Sequence, residues 1–223
     1  MKRQIMVERE LNINKSEWIP VKFGDIVDEI RESLTDPETA GIKRVIGLEH
    51  IEPENIHIKS WADISEGTTF TKRFRKGDVL FGRRRAYLRK AAIVDFDGIC
   101  SGDIMVFRAK ENIIPELLPF LVSSDTFFDY AVKHSAGGLS PRVKFRDLAN
   151  LEFLLPPKEQ QAQLAELLWA MDEVVEREVE MRESLNAFCE SSFSGFIRAF
   201  RLFKCNWMGR EDYKGCCTTP KRI

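Results

Sequence analysis

The chain has 223 residues and a mass of 25.8 kDa, with 43% apolar residues, 31% charged residues and a formal net charge of −1. That length suits one domain or two small ones, and the composition excludes general disorder. No apolar run approaches the roughly 18 residues of a membrane span. The start, Met1-Lys2-Arg3-Gln4-Ile5-Met6, runs into charge without the apolar core of a secretory leader, so a cytoplasmic protein without a membrane partner is expected.

In chain order, Phe23, Ile26, Val27, Ile30 and Leu34 recur at helical spacing and predict an amphipathic helix over 23–34, ended by Asp36-Pro37. Strands are expected at 42–48, at the alternating Ile56-His57-Ile58, and in the β-rich stretch 68–74. A Lys76-Gly77-Asp78 turn leads to a buried strand at 79–81. Another strand is expected within 86–94, turning at 95–98, and a core strand at 104–107. Residues 115–133 read as one helix with Leu118, Leu121, Val122 and Phe128 on one side and Pro115 near its start. Gly137-Gly138 is a joint, 145–151 a short helix and 153–155 a last strand. The expected fold class is α+β, a mixed α/β globular domain over 1–156 with mostly short strands.

Pro156-Pro157 stops that pattern, and from Lys158 to Glu190 there is neither Gly nor Pro. Leu164, Met171, Glu178 and Leu185 are seven apart, as are Leu167, Val174, Met181 and Phe188; these are the a and d series of a heptad. Leu168 and Val175 widen the stripe, and Glu166, Asp172, Glu173, Glu176, Glu180 and Glu183 line the opposite face. A long helix over 157–190 is expected, whose stripe needs a partner helix. A helix folded back on its own domain is the alternative. Trp169 falls at f, away from the seam, as an anchor for a partner or a plug against its own domain. At Ser191-Ser192-Phe193-Ser194-Gly195 the helix is expected to break, leaving 191–223 as an unassigned basic, Cys-rich tail.

Charge follows the same divisions. Residues 1–157 carry 24 Lys and Arg against 24 Asp and Glu, 158–190 carry 3 against 9, and 191–223 carry 7 against 2. Within the neutral domain, Lys72, Arg73, Arg75, Lys76, Arg83, Arg84, Arg85, Arg89 and Lys90 oppose only Asp78, with Phe74, Phe81 and Tyr87 interleaved. Arginine forks suit phosphate oxygens and guanine edges, so the run reads as a duplex-binding surface. A solvated basic loop paired with the domain's many acids is the competing reading. Ala136 to Lys144 is a second candidate: Gly137 and Gly138 let a backbone approach a phosphate, and Ser140, Arg142 and Lys144 add a hydroxyl and two cations. A plain hinge fits it equally well.

Five cysteines, at 100, 189, 205, 216 and 217, form no Cys-x-x-Cys pair, and His50, His57 and His134 lie far away in sequence. Neither a disulfide framework nor a zinc site is expected. There is no Gly-x-x-x-x-Gly-Lys-Ser/Thr loop, no Gly-x-Ser-x-Gly elbow, no Asn/Asp-Pro-Pro-Tyr/Phe methyltransferase signature and no Glu-x-Lys nuclease pair. The expectation is a chain that catalyses nothing and holds no cofactor or metal.

Glu17-Trp18-Ile19-Pro20-Val21-Lys22-Phe23-Gly24-Asp25-Ile26 resembles the opening of a target-recognition domain from the specificity subunits of type I restriction-modification systems. Lys76-Gly77-Asp78-Val79-Leu80-Phe81 and Cys100-Ser101-Gly102-Asp103-Ile104-Met105-Val106 resemble its internal strands. Leu155-Pro156-Pro157-Lys158-Glu159-Gln160-Gln161, followed by Leu164, Leu167 and Leu168, is similar to the family's junction with its conserved-region helix and is the most specific feature. The resemblance covers roughly 17–188. It implies a DNA-binding, non-catalytic subunit of a restriction system that guides DNA methylation. Such a subunit reads half of a split double-stranded DNA site with each recognition domain. It sets their spacing with a helical coiled coil and binds methyltransferase subunits and, through them, translocating restriction subunits. The sequence departs from the usual pattern in having one recognition domain and one helix, as in a half-subunit or a truncated one.

The DNA-binding candidates are therefore Lys72, Arg73, Arg75, Arg83, Arg84, Arg85, Tyr87, Arg89, Lys90, Gly138, Ser140, Arg142 and Lys144. The partner or self-pairing helix offers Leu164, Leu167, Leu168, Trp169, Met171, Val174, Val175, Met181 and Leu185. A different class of function stays open: a regulatory or decoy module that binds methyltransferase or specificity subunits through the helix without reading DNA.

Overall fold

The computed structural model describes residues 15–37 and 39–207, with side chains as far as 189. The chain divides into two compact units at Leu168/Trp169.

The first unit is built on three small sheets. β1 (Ile19–Lys22) pairs antiparallel with β10 (Glu152–Leu155), which ties the start of the unit to its end. A four-stranded antiparallel sheet has the order β2 (Val27–Ile30), β9 (Ile104–Ala109), β6 (Val79–Gly82), β7 (Ala91–Ile93). The other four-stranded sheet runs β4 (Ala62–Asp63), β3 (Arg44–Ile46), β8 (Gly98–Cys100), β5 (Lys72–Phe74), with β3 and β8 parallel.

Alternation along β6 and β9 explains the layering. Val79, Phe81, Met105 and Phe107 face one way, into a core with Phe23, Phe127, Phe128 and Leu148. Leu80, Ile104 and Val106 face the other way, onto Ile46, Phe74 and Cys100 of the second sheet. A strand covered on both faces reads as a continuous apolar run, which is why 79–81 and 104–107 stand out in the sequence. The Arg44 guanidinium of β3 lies over the rings of Trp61 (4.1 Å) and Phe96 (4.3 Å). Asp78 is the buried acid of this unit, held by Arg108 Nε (2.7 Å) and Nη2 (2.8 Å) and by the Arg75 amide (2.8 Å).

Several expected elements are revised. Residues 23–34 form one helical turn, α1 (Phe23–Ile26), and then the strand β2. A lone helix of that length is marginal, and the cross-strand ladder from Val27 to Ile30 onto β9 outweighs it. Residues 86–94 are not one strand: a 3-10 turn at Ala86–Leu88, between left-handed Arg85 and Arg89, precedes β7. The helix expected over 115–133 is split into a 3-10 turn (Pro115–Leu117), α2 (Leu118–Val122) and α3 (Asp125–Lys133). Ser124 makes the break, its hydroxyl accepting from the Phe127 amide to cap α3. Ile56-His57-Ile58 contributes only an isolated bridge from His57 to Ile93. α4 (Phe145–Leu148) is the short helix expected there. β1, β4 and β8 carried no clear sequence signal.

α5 spans Lys158–Trp207. Its first turns are locked to the globular unit. The buried Gln161 donates to the Asn112 (3.2 Å) and Pro156 (2.9 Å) carbonyls and accepts from the Ile114 amide (2.9 Å), while Trp18 Nε1 donates to Gln160 (2.9 Å). The break expected at 191–195 does not occur. Serine is near neutral in a helix and one glycine costs about 1 kcal/mol, too little to end a long run of helix formers. The remainder of the tail, 208–223, lies outside the described residues. Among the described residues, no helix is long and apolar enough to cross a membrane, and no group of three or more His, Cys, Asp or Glu is placed to hold a metal ion.

Candidate nucleic-acid interface

The structure joins two of the basic segments by backbone hydrogen bonds. Beyond the end of β6 the chain runs beside 141–143: the Arg85 amide donates to the Pro141 carbonyl (2.8 Å), and the Val143 amide to the Arg83 carbonyl (3.1 Å). Arg84 forms an antiparallel bridge with Arg142, which is itself bridged to Ala136 across a tight hairpin. Gly137, at φ +119°, takes a conformation L side chains rarely adopt, so the hairpin needs its glycine.

Arg84 and Arg142 thereby converge on one carboxylate, Asp103, with Arg83 and Arg85 flanking Arg84 and Lys144 two residues beyond Arg142. Arg142 donates to it from Nε (2.8 Å) and Nη2 (3.3 Å), and Arg84 from Nη1 (3.5 Å). Arg84 Nε donates to Ser140 Oγ at 2.6 Å. The Arg142 hydrogen bonds, aided by the Arg84 charge, hold the Asp103 carboxyl below the usual carboxylate range. Among the described residues, Arg83, Arg85 and Lys144 carry no ion pair. Arg83 Nε is buried without a hydrogen-bond partner, and Arg85 and Lys144 are exposed. Arg85 sits at φ +54° and Arg89 at φ +52°, a region costing about 1–2 kcal/mol for a residue with a Cβ. Gly138 is exposed in the hairpin loop.

The other candidates are placed differently. Lys72 is half-buried at the cluster's edge, its ammonium donating to the Ile104 carbonyl (2.7 Å); burial lowers its pKa, and Arg83 is near enough to oppose its charge. Arg73 pairs with Asp97 (3.8 Å) and Arg75 with Glu32 (3.1 Å). Arg89 pairs with Glu54 (3.0 Å) and Asp125 and lies over the Phe128 ring. Lys90 donates to the Leu48 carbonyl at 2.7 Å. Tyr87, 54% exposed, borders an open cleft of about 380 Å³ with Arg89, Phe128, Asp129, Val132 and Lys133. Arg73, Arg75 and Arg89 are therefore paired with distant acids, Lys72 and Lys90 are engaged by backbone carbonyls, and 83–85 are merged with the second candidate segment.

Sequence reasoning missed Asp103. It lay within a stretch noted for its resemblance, but nothing local marks a residue that meets partners 19 and 39 positions away.

Along α5, Leu164, Leu167, Leu168 and Trp169 are half-buried, whereas Met171, Val174, Val175, Met181, Leu185 and Phe188 are exposed. Glu178, the polar member of the stripe, pairs with Arg182 one turn on at 3.6 Å.

A profile of the type I restriction modification DNA specificity domain matches residues 15–187. The chain is 26% identical, over 186 residues, to the type I restriction enzyme EcoDI specificity subunit of Escherichia coli, covering 77% of this chain and 39% of that protein. It superimposes on the HsdS subunit from Thermoanaerobacter tengcongensis with a TM-score of 0.61 at 26% identity, over 76% of this chain and 45% of that one. A chain solved in work on complex assembly and conformational transition of the type I R-M system gives 0.60 at 26% identity, over 90% and 52%. The chain thus spans well under half the length of the curated relatives it matches.

Proposed function

Because the chain belongs to the family of type I restriction-modification DNA specificity domains, we propose that it reads one half of a bipartite duplex site and docks methyltransferase subunits, catalysing nothing itself. The observation that carries this reading is the hydrogen-bonded joining of 83–85 to 141–143, which brings two basic segments together and seats Arg84 and Arg142 on a single carboxylate, Asp103. A local excess of cations over acids is the electrostatic footprint of a phosphate-backbone partner, and arginine is the residue best suited to base edges.

α5 supplies the other half of the proposal. Its stripe from Met171 to Phe188 is exposed, and a helix with an apolar seam and an acidic back pairs with protein. Leu164 to Trp169 and the stripe beyond form the surface for a methyltransferase subunit and, through it, the translocating restriction subunit. A second copy of the chain on the same seam would bring two recognition domains together for a two-part site.

A mobility-shift assay of the full chain with duplex DNA and a methyltransferase subunit tests the proposal. Retarded duplex whose footprint is confined to one sequence supports it. A stable protein complex that leaves duplex unshifted favours the regulatory or decoy module instead. Methylation or cleavage by this chain alone overturns the non-catalytic assignment.

A further inference from the structure

The arginines of the cluster are not equivalent, and the geometry points to a division between them. We propose that Asp103 is a positioning residue that holds Arg84 and Arg142 as a paired reading head for base edges, while Arg83, Arg85 and Lys144 are left to contact phosphates. This rests on the DNA-reading assignment above and goes further by saying which side chains read sequence and what orients them.

The argument starts from donor arithmetic. A guanidinium has one Nε–H and two N–H groups on each terminal nitrogen. Arg142 directs Nε and one Nη2 hydrogen at Asp103. Arg84 directs Nε at Ser140 and one Nη1 hydrogen at Asp103. Each arginine therefore keeps an N–H on both terminal nitrogens, the pair that bridges O6 and N7 of guanine in the major groove. Both planes are fixed from behind, so less side-chain freedom is lost on binding than for a free arginine.

Their backbones are fixed as well. Arg84 and Arg142 face each other in an antiparallel bridge, so the two forks are held side by side by two hydrogen-bonded segments. A reading head needs that precision, whereas a phosphate contact does not. Among the described residues, Arg83, Arg85 and Lys144 have no acid to orient them, which suits contacts that carry charge but no sequence information. Asp103 itself is a poor phosphate neighbour. A carboxylate kept in the middle of a duplex-facing cluster weakens non-specific attraction, a cost that is offset if it secures geometry.

The test uses the full chain and a library of duplexes randomised in sequence, with enrichment and affinity measured for wild type, Asp103→Asn and Arg142→Lys. Wild type is expected to enrich one motif. Asp103→Asn keeps the side chain's shape but no longer clamps two cations. It should flatten one or two positions of that motif by about tenfold or more, while affinity for the unselected library rises because a negative charge is gone. Arg142→Lys keeps the charge without the fork and should flatten the same positions, which preserves the test if Asp103→Asn does not fold. An unchanged motif in both variants overturns the proposal while leaving DNA reading intact. Loss of motif and library affinity together, with a lower melting temperature, marks Asp103 as structural only and also overturns it. If wild type enriches nothing, the DNA-reading assignment itself fails.

Discussion

The sorting of the basic residues into paired and unpaired sets gives a quantitative forecast. Among the described residues Arg83, Arg85 and Lys144 carry no ion pair, whereas Arg73, Arg75 and Arg89 are matched to Asp97, Glu32 and to Glu54 with Asp125. Replacing the first trio with alanine removes three phosphate contacts. At about 0.9 per contact, the slope of log affinity against log salt should fall by about 2.7, so the variant loses about 40-fold less affinity than wild type between about 50 and 200 mM salt. Replacing the second trio should change the slope by less than about one, since each of those cations already has a carboxylate partner. Fluorescence anisotropy of a labelled duplex across a salt series reads both numbers, with melting curves to confirm that each variant folds. A drop for the paired trio equal to that for the unpaired trio would refute the reasoning, because the ion pairs would then say nothing about which cations meet DNA.

Three more outcomes are expected from the same geometry. Arg85→Gly relieves a left-handed residue at φ +54°, so it should raise the melting temperature by about 2–4 °C while weakening duplex binding; a lower melting temperature would show that the conformation is not strained. Burial pushes the Cys100 thiol up to about 12, so it stays protonated and unreactive from neutral pH to about pH 10, since only the thiolate attacks. Iodoacetamide should therefore label exposed Cys189 and spare Cys100 in the folded chain, and comparable labelling of the two by peptide mass spectrometry would contradict this. Met181, 65% exposed in the middle of the stripe, should be critical to self-pairing. Sedimentation velocity should show Met181→Glu as a monomer where wild type associates, and a wild-type chain that is a clean monomer would count against pairing through this seam.

What the sequence disclosed and what it hid divide along physical lines. β6 and β9 were legible because both faces are buried, and a doubly covered strand is apolar throughout. α5 was legible because apolar residues repeating every seven positions, with no Gly or Pro between them, match a helix period and no strand period. Phe23 to Leu34 misled because Phe23, Ile26, Val27 and Ile30 satisfy a helical period, yet Val27–Ile30 pairs with β9, a partner far along the chain that no local pattern reveals. The basic run was legible as composition, but its partition was not. Whether an arginine is neutralised depends on Asp97, Glu32, Glu54 and Asp125, which topology alone brings into contact. The joining of Arg84 to Ser140, 56 residues away, is likewise a product of the fold.

The central claim is that duplex DNA lies against the face made by 83–85 and 140–144. Amide hydrogen exchange of the full chain, with and without duplex at low salt, measures this most directly. The account predicts slowed exchange in peptides covering 83–88 and 136–144 and little change in 72–76 or along α5. Protection confined to α5 or to 72–76, with 83–88 and 136–144 unaffected, would contradict it.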